Sequence, residues 1–286
     1  MPTPRLAVLL GLAIVPIFGW GQLPNHTPIP GGIATVVLGP AGTPKPTAHF
    51  GRHAVMVTQD KGRWVSIVGL GLDVVPGRYI LKTTDQDHVT NAHEFTVRAH
   101  RYRVTQVAPI VKKVRGKRAA PIILNDMTYD PRVYALPQQP VETIPELPLR
   151  LPVDGVEPND RFGEREVGPE ETSQPIRYLE FTVSSERAVL APGAGRIAGV
   201  LSLAAGDMLV IDHGRGLLSL LWPLSAVPVK VNEDVARGAQ LGRPILQPES
   251  DTGQLRWSVA LNAEFVNPRL LIGVAAVTVS RQTVSR

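Results

Sequence analysis

The chain has 286 residues, enough for two domains of ordinary size, each with its own core. Hydrophobic residues make up 43% of it and charged residues 19%, the balance of a globular protein, while 27 prolines and 26 glycines point to many turns and short strands and so to an all-β fold. With no cysteine there is no disulfide, thiolate metal site or thiol nucleophile, and a formal charge of +5 favours anionic partners without naming one.

In chain order, Met1–Arg5 is a short positive region, Leu6–Trp20 is apolar, and Gly19-Trp20-Gly21 offers a small-x-small cleavage site. Residues 1–22 therefore read as an export signal: the apolar run, broken by Pro16, is shorter than the roughly 20 residues that span a bilayer. A periplasmic or secreted location is expected, with no nucleic-acid partner and no membrane contact beyond the signal. Short β-like runs follow at 33–38, 54–58, 63–69, 77–83 and 93–97, separated by Pro- and Gly-rich turns. With no helical period among them, they predict a small Ig-like β-sandwich at 28–100. Residues 101–148 carry a basic run, Lys112 to Arg118, and then Pro121, Pro131, Pro137, Pro140 and Pro145. They read as a basic, Pro-rich linker or a strap across the second domain, the run itself being a solvated face. β-like runs resume at 179–183, 188–190, 195–201, 208–212, 217–222, 227–231, 254–261 and 274–279. A second β-rich domain is expected at 149–272, with a tail at 273–286.

Six of the seven histidines precede residue 101, which leaves the second domain only His213. A catalytic zinc site usually takes three converging protein ligands. The pair His49 and His53 flanks Gly51 in a β context, without the helix that would put both rings on one face, and reads as a polar loop. Asp212 and His213 are expected at the tip of a hairpin, as turn residues bonding the local backbone. No nucleophile elbow, phosphate-binding loop or dinucleotide fingerprint occurs. In the stretch Asp251 to Asn262, Leu255, Trp257, Val259 and Leu261 alternate, which puts Gln254 and Arg256 on the opposite face of a strand.

The ordered motifs Pro152-Val153-Asp154-Gly155, Arg161-Phe162-Gly163-Glu164-Arg165, Ala191-Pro192-Gly193-Ala194-Gly195-Arg196-Ile197, Met208 to Gly216, Val235 to Gly242 and Leu255-Arg256-Trp257 resemble the M23 (LytM-type) zinc endopeptidase domain, which cuts peptidoglycan cross-bridges. Upstream, Pro30 to Ala34, Val68-Gly69-Leu70 and Pro76 to Tyr79 are similar to the Ig-like domain that precedes M23 in some envelope peptidases. The resemblance implies an antiparallel, barrel-like second domain with zinc ligands from a His-x-x-x-Asp pair and a His-x-His pair, and a further histidine after the hairpin. The corresponding positions hold Ile176, Glu180, Pro223, Gln254 and Arg256. Isoleucine and proline cannot ligate zinc, and a guanidinium repels it.

This resemblance therefore implies a degenerate member with no metal, no cofactor and no catalytic residue. A groove lined by Glu180, Pro223, Gln254, Arg256 and Trp257 would bind peptidoglycan or a cell-wall hydrolase, and the protein would act as an activator or scaffold. Two other readings stay open at this point. One is an active peptidase with a metal site rebuilt on Glu180 and His213. The other is a barrel-type envelope adaptor, since 229–242 is similar to the paired short strands of biotinyl-type domains, although no modifiable lysine sits in a hairpin turn.

Overall fold

Alternating apolar residues between Gly- and Pro-bearing turns make the first strands. In a computed structural model, which describes residues 23–106, 127–135, 144–167 and 174–273, they are β1 (Ile33–Pro40), β2 (Thr47–Phe50), β3 (His53–Ala54), β4 (Met56–Asp60), β5 (Arg63–Gly69), β6 (Gly77–Thr84) and β7 (Thr90–Val97). Two antiparallel sheets result, ordered β1-β5-β4 and β3-β2-β6-β7. Ala34, Val36, Val57, Val68, Leu81 and Phe95 fill the space between them. The β4–β5 hairpin turns on Lys61 and Gly62, both at positive φ (47° and 73°), as a primed two-residue turn requires. The run expected as one strand at 54–58 changes sheets instead. His53–Ala54 pairs with β2, Met56–Asp60 pairs with β5, and Val55 between them donates its N–H to Ala48 O. One apolar run thereby feeds both layers of the sandwich.

β8 (Val104–Gln106) pairs in parallel with β9 (Arg165–Val167). The large sheet is built from β10 (Leu179–Ser184), β11 (Val189–Leu190), β12 (Gly195–Leu203), β13 (Gly206–Gly214), β14 (Leu217–Ser225), β15 (Asp234–Val235), β16 (Gln240–Pro244), β17 (Thr252–Leu261) and β18 (Glu264–Val266). Its main path runs β10-β17-β14-β13-β12-β15, with β18 on β17, β16 on β14 and β11 on β16. The expected strand at 227–231 is irregular from Val227 to Lys230 and turns at Val231. Pro228, which has no N–H to give a ladder, explains the break. β15 and β16 pair with β12 and with β11 and β14, and not with each other, so the likeness of 229–242 to a biotinyl-type strand pair does not hold.

Both faces of this sheet are covered. One packs Leu179, Phe181, Leu209, Leu221, Trp257 and Val259 into a core that also takes Ile33, Met56 and Ile67 from the sandwich, so the two domains share apolar contacts. Each such side chain contributes about 1.5–3 kcal/mol by leaving water. A polar clamp adds to the junction. Asn262, in the turn between β17 and β18, accepts from Gly69 N at 2.6 Å and donates to Gly69 O at 3.1 Å. Gly69 has to be glycine, because a Cβ there would stand 2.6 Å from Leu261 O. The other face holds Met208, Val210, Leu220, Trp222, Ala260 and Phe265, and over it lies a strap made of a 3-10 turn (Met127–Tyr129) and the one-turn helix α1 (Pro131–Tyr134). Residues 1–22, the basic run at 112–118 and the apolar run at 274–279 lie outside the described residues.

Candidate functional site

Because side chains alternate along β17, two neighbouring residues enter different worlds. Trp257 points into the shared core, fully buried, between its cross-strand neighbours Leu179 and Leu221. It therefore lines no groove, which corrects its place among the expected groove residues. Its indole N–H donates to Ser219 Oγ at 3.2 Å. Ser219 lies 2.8 Å from His213 Nε2, and His213 Nδ1 lies 2.8 Å from Ala194 O. A carbonyl only accepts, so Nδ1 carries the proton, Nε2 accepts from the serine hydroxyl, and every donor in the chain is used. Burial drives the imidazole pKa down to about 4, which keeps it neutral.

His213 and Asp212 are not at the hairpin tip. They lie buried near the end of β13, just before Gly214, and Arg215 and Gly216 make the turn. Asp212 Oδ1 accepts from Gly214 N at 2.8 Å, and burial raises its carboxyl pKa. The backbone bond matches the turn chemistry expected of it; the depth in the strand does not.

Arg256 lies on the other face, with Glu180 of β10 and Trp222 of β14 as its cross-strand neighbours. Its Nε donates to Glu180 Oε2 at 3.0 Å, and its guanidinium sits 4.4 Å above the Tyr178 ring. Tyr178 in turn meets the Trp222 ring edge to face, with centroids 5.6 Å apart. The side chains of Arg256 and Glu180 keep 11% and 24% of their exposure, so the pair is sheltered without being sealed. Gln254 lies two residues along the same face, opposite the exposed Thr182. Asn159 closes the outer edge of β10 by donating to Glu180 O at 2.7 Å and accepting from Glu180 N at 3.2 Å. Pro223 is buried where β14 shifts register and does not border an open groove, a second correction. Ile176 precedes β10, with its backbone tied to Gly163 and Glu164.

The structure thus brings together Glu180, Arg256 and Gln254, separates Pro223 and Trp257 from them, and adds Tyr178. The missed aromatic had a signal: Tyr178 and Glu180 are two residues apart and must share a face of any strand through them.

Two sheets in a sandwich followed by a large antiparallel sheet, with a polar cluster on one face, define an all-β protein. The family model of the peptidase M23 N-terminal domain matches residues 25–99, and that of peptidase family M23 matches residues 177–268. Between them they take in more than half of the chain, which belongs to peptidase family M23. Among solved structures, one from Pseudomonas aeruginosa assigned to peptidase M23 is 26% identical, covering 87% of this chain and 96% of that one with a TM-score of 0.61. A zinc-containing peptidase from Vibrio cholerae is 13% identical over 76% of this chain and 85% of its own, with a TM-score of 0.40. The catalytic domain of a prophage-encoded M23 protein from Enterococcus faecalis is 16% identical over 41% and 91%, with a TM-score of 0.34. No curated protein matches the chain.

Zinc does not fit the residues at the family's ligand positions. The one carboxylate there, Glu180, is bonded to a guanidinium, and a cation of fixed charge stands where an imidazole would bind. Among the described residues no three of His, Asp or Glu gather into a metal-binding group. A site rebuilt on Glu180 and His213 fails on geometry, because the carboxylate lies on the Arg256 face of the sheet and the imidazole on the Trp257 face.

Proposed function

We propose that this M23 family member works by binding: it is an exported envelope protein that holds peptidoglycan or a cell-wall hydrolase and acts as an activator or scaffold in wall remodelling. The observation that carries this reading is the Glu180–Arg256 pair stacked on Tyr178, a sheltered cation at positions that resemble the family's ligand positions in sequence. An arginine beside an aromatic suits partners that bear carboxylates, as peptidoglycan stem peptides do. The positive net charge acts in the same direction at longer range.

The test is made on the purified chain with purified sacculi. Zinc by elemental analysis is expected well below one per chain, and no muropeptides should be released. Sacculus co-sedimentation is expected to weaken by at least about tenfold in Arg256→Glu, which sets two carboxylates face to face. One zinc per chain together with released muropeptides would overturn the reading, and binding indifferent to Arg256→Glu would remove the cluster from it.

A further inference from the structure

The strap over residues 127–135 occupies the same sheet face as Glu180 and Arg256. Val133 is buried among Met208, Val210, Leu220, Trp222, Ala260 and Phe265. The Arg177 guanidinium lies 3.9 Å from the Tyr129 ring centroid and 5.4 Å from that of Phe265, and Nη1 donates to Tyr134 Oη at 3.0 Å. Tyr129 Oη donates to Pro175 O at 3.0 Å, and Tyr134 meets Phe265 edge to face with centroids 6.4 Å apart. Arg177 directly precedes Tyr178, and its own carbonyl accepts from Ser258 on β17. The strap's seat and the polar cluster therefore lie on one surface, joined by the adjacent residues Arg177 and Tyr178.

The mode of attachment matters. The main-chain bonds Asp130 N to Met127 O, Val133 N to Asp130 O and Ala135 N to Pro131 O all close within the segment. Asp130 caps the short helix by accepting from Arg132 N, with proline in the first turn, so the turn is set by local chemistry. The segment meets the sheet through these side chains: Tyr129 and Tyr134 at the Arg177 guanidinium, Val133 in the apolar cluster, and Arg132, whose Nη1 donates to Ser202 O at 3.3 Å. This is how a short helical segment is read by a groove, through spaced apolar anchors and a cation–π contact.

We propose that this seat is a recognition site for a short peptide turn, that residues 127–135 are its resident occupant, and that a partner protein presenting a turn of the same pattern, aromatic then aliphatic then aromatic, enters by replacing them. The inference rests on the reading that this chain acts by binding. It names the apolar part of the surface and the partner's chemistry.

The test uses the full chain and a fluorescent synthetic peptide of residues 127–135. In the wild type the tethered strap competes at an effective concentration of the order of millimolar. Val133→Asp, which sets a carboxylate in an apolar seat, should release the strap. The variant is expected to bind the peptide at least about tenfold more tightly than the wild type, and to be cut by chymotrypsin at Tyr129 and Tyr134 at least about tenfold faster. Adding Arg177→Ala should abolish peptide binding. Should Val133→Asp fail to fold, Tyr129→Ala serves in its place, with peptide binding and cleavage at Tyr134 shifted the same way. Equal peptide affinity for wild type and a folded strap variant, no binding to that variant, or equal cleavage rates would each overturn the proposal. Zinc content and sacculus assays are not involved, so this result and the fate of the binding reading are told apart.

Discussion

Two adjacent residues of β17 show how one backbone can carry opposite tasks. Trp257 ends a line of hydrogen bonds through Ser219 and His213 to Ala194, inside the buried core. Arg256, turned the other way, holds Glu180 at a partly wet surface beside a strap that meets the sheet through side chains. A saturated buried network stabilises one arrangement and resists change. A partly exposed pair contributes less to stability, because water and salt share it. The Trp257 face thus carries the saturated network, and the Arg256 face, partly covered by the strap, carries the partly exposed pair.

The largest expected break of this comparison is Trp257→Ala, which should cost about 3–5 kcal/mol of unfolding free energy as read by urea denaturation. An equal loss from Arg256→Ala would erase the distinction between the faces. Next comes the pH dependence of the Trp257 side. The folded chain holds the His213 pKa down at about 4, below the ordinary value of 6.5, so the unfolded chain binds the proton first. The stability this histidine gives is present above about pH 6.5 and is lost as the pH falls toward 4, by about 3 kcal/mol in total. Denaturation midpoints measured at pH 7, 5.5 and 4 should fall accordingly, and His213→Gln should flatten the decline.

Asn262→Ala sharpens the comparison from outside, at the joint between domains. It leaves a buried N–H and C=O of Gly69 without partners and is expected to cost about 2 kcal/mol, lowering the melting temperature while leaving sacculus binding intact. The smallest effect belongs to the functional face. Glu180→Gln should cost about 1 kcal/mol after discounting for the pair's exposure. The double change Glu180→Leu with Arg256→Met should recover that stability while abolishing the binding, measured by calorimetry and co-sedimentation.

Much of the architecture was legible because local rules set it. Alternation located most strands, including the one that carries Gln254, Arg256 and Trp257, and the motif order identified the family. What failed was depth and pairing. Asp212 and His213 carry turn chemistry, yet the turn formed two residues later because Gly214 and Gly216 sit at φ of 99° and 76° with Arg215 at 50° between them, drawing the chain reversal past the histidine. Pro223 and Trp257 were placed in a groove because they align with, or adjoin, family ligand positions. A register shift buries the first, and period-two alternation turns the second inward. The strap's contact with the sheet was expected only in outline. Its residues show a helix start at Asp130-Pro131, but nothing local states which apolar face a one-turn helix will cover.

By itself the sequence determined the strand framework, the family, and the loss of histidine at the ligand positions, since these depend on residue identity and near neighbours. Only the tertiary structure decided that Glu180 is held by Arg256, that His213 is a neutral member of a buried network, and that residues 127–135 sit on the face beside them. Each of these joins residues distant in the chain, and cross-strand register and sheet faces are set by the packing of the whole sheet and not by any stretch of it.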